Sequence, residues 1–358
     1  MADWSGLHYD LLVLIVRRIA WYEDFNTFRG VCKSWKSAAI KRNFTGYWTA
    51  RIPCLMLAAK EGSDLRDFFS ICTGMTRTLM LPEAANQTKC YSSQGWLITV
   101  AKDMSINLLH PFTRLQKKLP NATTLFREQG LYVNVTSASY DAFIDKFVLT
   151  ASPSHTSDYV VLVMYYGKLA FCRPGDESWT RIIYPSGVVD AVYHNNRFYC
   201  LGMNGIFVCD IEGPNPNPNP SLANHVSTFS EEQNPRGKYH CGVGHVVESS
   251  GTFVASCTTR VYEVGLDGGE WKELKSLGDR ALFLGYNSSI SVEVSDFSGC
   301  KANCIYFTEC DCDSYSGIPG GGGKDMGIYN MLDGSIQPHY PGESRCEITP
   351  PLWVVPSS

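Results

Sequence analysis

The chain has 358 residues, a formal net charge of −4 from 31 Lys/Arg and 35 Asp/Glu, and 14 cysteines. That length holds one large domain beside a small module, and the mild acidity excludes the basic footprint of a nucleic-acid binder. The apolar run from Leu11 to Val16 has no basic segment ahead of it and is stopped by Arg17 and Arg18, which predicts neither a signal peptide nor a membrane span. The thiols are therefore expected to be reduced, in the cytoplasm, the nucleus or both, many of them serving as small core residues.

The chain opens with helix. Leu11, Leu12, Ile15, Val16 and Ile19 recur at helical spacing and give the first helix an apolar face. Asp24 is placed to cap a second helical stretch. In that stretch Phe25, Phe28, Val31, Cys32, Trp35 and Ala39 again fall three or four apart. About forty residues of helix carry more apolar surface than they can bury among themselves. A partner is expected.

Beyond about residue 47 the pattern changes to short runs rich in Val, Ile, Tyr, Phe and Trp, separated by Gly, Asn, Asp and Pro, which read as strands and turns. Paired strands are expected in 95–120, 159–182, 197–213, 252–274 and 303–340, with a weaker unit in Cys54–Pro82. Turns are expected at Lys102-Asp103, at Gly167 and at Asn204-Gly205, the last being the strongest short hairpin signal in the chain. Trp179 and Trp271 follow turns in two of the units. Small antiparallel sheets recurring every ~40–60 residues predict a kelch-like all-β propeller of about six blades. The final apolar stretch Pro350–Pro356 is placed to pair with the first blade and close the ring, which removes exposed sheet edges.

Several motifs resemble sites of chemistry but fail on spacing or register. Cys300, Cys304, Cys310 and Cys312, with His339 and Cys346 further on, lack the two close pairs of a structural zinc site. Glu309, Asp311 and Asp313 lack a glycine-centred calcium loop. The run Gly320–Gly323 before Lys324 fails as a phosphate loop, because Ile318 stands where the first glycine belongs and Asp325 where Ser or Thr belongs. It reads instead as a flexible insertion between strands. The Pro-Asn repeat 214–220 reads as an extended solvated loop. His240 and His245 have no third ligand in view, and no nucleophile elbow is present. No catalytic residue, metal or cofactor is assigned.

The N-terminal stretch resembles an F-box, the segment by which substrate receptors dock onto the Skp adaptor of cullin-RING ubiquitin ligases. The resemblance rests on Trp4, Leu7, Asp10, Leu11, Leu12, Ile15, Arg18, Asp24, Phe28, Arg29, Val31, Cys32 and Trp35, which follow W-x-x-L-P-x-D-L-L-x-x-I and R-x-V-C-x-x-W. His8 takes the place of the pattern's proline. The resemblance implies a three-helix all-α module over residues 3–46 that binds Skp through Leu7, His8, Asp10, Leu11, Leu12, Ile15, Val31, Cys32 and Trp35. Leu7, Leu11, Leu12, Ile15, Val31 and Trp35 would be its anchors, since bulky apolar and tryptophan side chains carry most interface energy.

The tail carries a second resemblance. Residues 277–292, followed by GCKANCIYF, DMGIYNMLDGSI and PPLWVVPS, look like the propeller of the plant F-box family typified by the KIB proteins, here over residues 50–358. Together the two imply a non-catalytic substrate receptor of a Skp–cullin–F-box ubiquitin ligase. Its partners would be Skp, through it cullin and a RING protein, and an unknown target, with no nucleic acid and no membrane. The substrate-binding residues are not assigned. A ligase-independent propeller with a degenerate F-box is the alternative. A propeller enzyme or lectin would require charged residues converging in the central channel.

Overall fold

The structure is a computed structural model. It describes residues 4–19, 22–40, 43, 52–85, 87–126, 143–182, 187–202, 205–209, 211, 224–228, 244–249, 251–257, 260–265, 271–287, 289–294, 299–309 and 319–354. The chain divides into two compact units, residues 1–52 and 53–357.

In the first unit a short 3-10 turn, Trp4–Gly6, leads to three helices: α1 (Tyr9–Arg18), α2 (Tyr22–Val31) and α3 (Lys33–Ala38). Leu12 and Val16 of α1 meet Phe25 and Phe28 of α2 and Ala38 and Ala39 at the end of α3, all buried. Asn43 closes the far end, its Nδ2 donating to the Ala38 carbonyl at 2.9 Å. The expected Asp24 cap is corrected. Helix α2 begins two residues earlier, at Tyr22, so Asp24 lies within the first turn, where a carboxylate still favours the helix dipole.

The second unit is a six-bladed propeller. The first blade has the order Leu352–Val354, Cys54–Met56, Leu65–Ser70, Thr76–Met80. The next four follow the chain, starting from the inner strands Lys89–Ser93, Ile144–Leu149, Val188–His194 and Gly244–Ser249. Those inner strands pack against one another from blade to blade. The proposed paired units correspond to the blades, but sequence reading placed their starts too late, at the second strand of blades two to five. The inner strands mix apolar residues with Lys89, Asp145, Lys146, Asp190, His245 and Glu248, so neither an apolar run nor strict alternation marks them as strands.

Tight hairpins join neighbouring strands within the blades. Gln94-Gly95 and Asn195-Asn196 have positive φ at both positions, as do Tyr166-Gly167 between Val161–Tyr165 and Lys168–Cys172. That geometry matches the right-handed twist of the flanking strands. Of the turn expected at Asn204-Gly205, Asn204 lies outside the described residues and Gly205 is already the first residue of the returning strand, paired with Gly202.

The sixth blade departs from the others. It has five strands in the order Ser289–Glu293, Arg280–Leu284, Cys304–Phe307, Gly327–Asn330, Ile336–Gln337, and the Arg280–Leu284 and Cys304–Phe307 strands run parallel. A parallel neighbour needs a crossover, and here the connection between the two strands carries the edge strand Ser289–Glu293 on the other side of Arg280–Leu284.

Ring closure is shared between the chain ends. Leu352–Val354 pairs with Cys54–Met56, Trp353 opposite Leu55. Trp353 is almost fully buried, donates Nε1–H to the Leu284 carbonyl of the sixth blade at 3.0 Å, and meets the Phe283 ring edge-on at 5.1 Å. Ser92 of the second blade donates to the Trp353 carbonyl.

The glycine run is not a flexible insertion where it is described. A side chain on Gly321 would collide with the Cys346–Glu347 backbone, and one on Gly323 with the Ser344 carbonyl. Gly323 N–H donates to the buried Glu309 carboxylate at 2.8 Å. The amide that a phosphate would need is therefore taken by a carboxylate. Residues 214–220, His240, Cys310, Asp311, Cys312 and Asp313 lie outside the described residues.

Candidate docking site

Packing of the three helices sorts the nine residues assigned to Skp binding. Leu12 is corrected: it is 1% exposed in the interior of the module, so it cannot touch a partner while the module is folded. Leu7 and Trp35 are half-buried against the same core. Trp35 packs on Phe28 with ring centroids 4.4 Å apart and donates Nε1–H to the Trp4 carbonyl at 3.0 Å. Cys32 precedes α3 and is half-buried, while His8 and Asp10 are exposed. The His8 and Asp10 side chains lie 3.5 Å apart, an arrangement worth little in water.

Three of the expected anchors do face outward. Leu11 is 50% exposed, Ile15 39% and Val31 55%. Leu14, 54% exposed, completes an i, i+3, i+4 row with Leu11 and Ile15 along α1. Trp4 and Tyr9 are exposed as well. Leu14 was missed because the face was read from the apolar stripe that includes Leu12 and Val16. The signal was there, since Leu14 lies three residues from Leu11.

His8 itself adopts φ −61° just before α1, and its carbonyl accepts from Leu11 N and Leu12 N at 3.1 Å each. That φ falls in the range to which proline is locked. The histidine thus keeps the backbone that the F-box pattern uses.

In the propeller, charged side chains do meet on the inner strands. Lys146 of the third blade places Nζ 2.5 Å from Asp190 Oδ1 of the fourth. Asp190 Oδ2 accepts from Val246 N of the fifth blade at 2.8 Å. His245 Nδ1 lies 3.9 Å from Asp190 Oδ2 and 3.0 Å from Ser289 Oγ of the sixth blade. Register shifts between Ile144 and Lys146 and between Val188 and Asp190 mark β-bulges, which re-aim side chains. The cluster is internally paired and joins four consecutive blades.

Burial pushes His245 down to about 4, and His339, with Nε2 2.9 Å from the Phe307 carbonyl, likewise to about 4. The unfolded chain protonates both near their ordinary 6.5, so it binds more protons than the folded chain between those values. Stability is therefore full above about pH 6.5 and falls as pH drops toward 4, by about 1.4 kcal/mol per pH unit for each ring. Urea midpoints measured from pH 8 to 4.5 should show a plateau and then this decline. A flat profile would contradict the buried neutral rings.

Residues 68–330 match the family described as KIB1-4 beta-propeller. The chain belongs to that family. Curated relatives of the KIB-type chain include F-box protein SKIP23 of Arabidopsis thaliana, 25% identical, covering 99% of this chain and 96% of the relative. F-box protein KIB4 of the same plant is 24% identical, covering 86% of this chain and 83% of the relative. F-box protein At2g26160, also from Arabidopsis thaliana, is 26% identical, covering 86% of this chain and 96% of the relative. Among solved structures the computationally designed Ika8 protein aligns at TM-score 0.39 and 10% identity, covering 82% of this chain and 89% of that one.

Proposed function

We propose that this chain is a non-catalytic substrate receptor of a Skp–cullin–F-box ubiquitin ligase. The N-terminal module would dock on a Skp adaptor, and the propeller would hold a target protein for ubiquitination by the rest of the assembly. The observation that carries this reading is the row Leu11, Leu14 and Ile15, which lies outside the buried helical core. An apolar row of this kind supports docking by burial, which contributes roughly 25 cal/mol per Å² removed from water. The relatives named as F-box proteins support it over nearly the full length. Cytoplasm and nucleus, where such ligases act, are the proposed locations.

The receptor acts by holding its target close, so that tethering raises effective concentration without new contacts. Propellers suit this because rigid blades fix the positions of their loops. The alternative, a ligase-independent binder with a degenerate F-box, drew on His8. Its proline-like φ weakens that argument.

Paired variants test the docking face. Leu11→Asp with Ile15→Asp is expected to weaken Skp binding at least about 100-fold with the melting temperature unchanged, because both side chains are outside the core. Leu12→Ala is expected to cost about 2–5 kcal/mol of module stability and to lose binding only through unfolding. Binding that survives the double aspartate variant would remove α1 from the interface.

A further inference from the structure

Two half-buried thiols meet where the propeller ring closes. Cys72 lies in the turn after Leu65–Ser70 of the first blade, and Cys300 lies in the crossover of the sixth. Their sulfurs are 3.3 Å apart although 228 residues separate them in sequence. The approach is built into the backbone. Gly299 holds φ +104°, and any side chain there would collide with the Cys72 main chain, so glycine alone lets the crossover lie on that turn. The other side of the crossover is fixed by Asn303 N–H donating to the Arg280 carbonyl at 2.8 Å and Lys301 N–H donating to Tyr306 Oη at 2.7 Å.

We propose that Cys72 and Cys300 form a peroxide-sensitive dithiol whose oxidation to a disulfide locks the first blade to the sixth. The sulfurs must close by about 1 Å to reach the bonded distance, and both lie in connections rather than in strands. Neither thiol is fully buried, whereas Cys54, Cys90, Cys172, Cys200, Cys209 and Cys304 are. A hydrogen bond from Cys300 holds the Cys72 thiol below the usual range and pushes Cys300 up, which makes Cys72 the attacking sulfur. Its thiolate attacks one oxygen of hydrogen peroxide, the O–O bond breaks, and hydroxide leaves and is protonated to water. The product is a sulfenic acid. Cys300 sulfur then attacks that sulfur, the S–S bond forms, the S–O bond breaks, and hydroxide leaves with the Cys300 proton as a second water. Two thiols lose two electrons and one peroxide is reduced to two waters. A monothiol such as glutathione reverses the lock by exchange.

The lock spans the joint that otherwise depends on non-covalent pairing of Leu352–Val354 with Cys54–Met56. Cross-linking so distant a pair restricts the unfolded chain strongly. The test oxidises the reduced full-length chain with hydrogen peroxide, alkylates the remaining thiols and maps peptides without reduction. One dominant cross-linked pair is expected, Cys72 with Cys300, reversed by reduced glutathione. The melting temperature should rise by about 5 °C or more on oxidation. C72S is expected to abolish both effects, and C300S to leave a Cys72 sulfenic acid that a dimedone probe traps. Wild-type mapping decides the matter whether or not the variants fold. Alkylated Cys72 and Cys300 after oxidation of the folded chain, or cross-links dominated by other cysteines, would overturn the proposal.

Discussion

Asp190→Ala is expected to destabilise the propeller by about 3–5 kcal/mol, read as a fall in the urea midpoint, because it leaves buried partners without their counterpart. Three groups lose their acceptor: the Lys146 ammonium at 2.5 Å and the Ala191 and Val246 amides, each at 2.8 Å. The Lys146 side chain is 9% exposed and that of Asp190 4%, so water cannot replace what is removed. Lys146→Met with Asp190→Leu should recover part of the loss, since a buried pair exchanged for apolar volume is often nearly neutral. Recovery should stay incomplete, because the Ala191 and Val246 N–H groups would still lose this acceptor, at about 1–3 kcal/mol for a buried donor left unsatisfied. A loss below about 1 kcal/mol for Asp190→Ala would mean that the inner strands are not joined through this carboxylate.

Trp353→Ala is the second large effect, expected to cost about 3–5 kcal/mol. The indole fills the joint between the first and sixth blades, against Phe283 and, at 5.1 Å, His339. Its N–H also satisfies the Leu284 carbonyl, a bond worth about 1 kcal/mol net. Trp353→Phe should keep most of the apolar burial and lose the bond, for a smaller cost. Thermal melting together with proteolysis of the C-terminal strand reads both variants. An alanine variant that melts like the wild type, with its C-terminal strand still protected, would remove this side chain from ring closure.

The elements that were legible in the sequence share a physical cause. Helix α1 and the second helical stretch have apolar residues at helical spacing, several hairpins have glycine-bearing turns, and the closing strand Leu352–Val354 is an apolar run bounded by prolines. Spacing did not show that extended Cys32 splits the second stretch into α2 and α3. The hidden features are those that depend on neighbours far along the chain. Leu11 and Leu12 are adjacent and both apolar, so periodicity did not say which faces the core. Packing against Phe25 and Phe28 decides it. The inner strands Ile144–Leu149 and Val188–His194 show no strict alternation of buried and exposed residues, so period two does not mark them. Lys146 and Asp190 are 44 residues apart and meet only through bulges.

A repeated turn shows the same limit. Gly74, Arg114 and Gly334 occupy equivalent positions in three blades, each donating its N–H back four residues, to Ser70, His110 and Asn330. All three have positive φ, which glycine tolerates and arginine does not favour. Arg114 is held there by its guanidinium, 2.6 and 3.2 Å from Glu83 Oε1. Only the fold reveals that an arginine is standing in a glycine's place.

The proposed receptor role requires docking through the N-terminal helices. The most direct measurement is native mass spectrometry of the full-length chain co-expressed with an Arabidopsis Skp adaptor. A stable complex with one copy of each protein is expected, lost in the Leu11→Asp, Ile15→Asp variant. A folded wild-type chain that forms no complex with any Skp adaptor tested would contradict it.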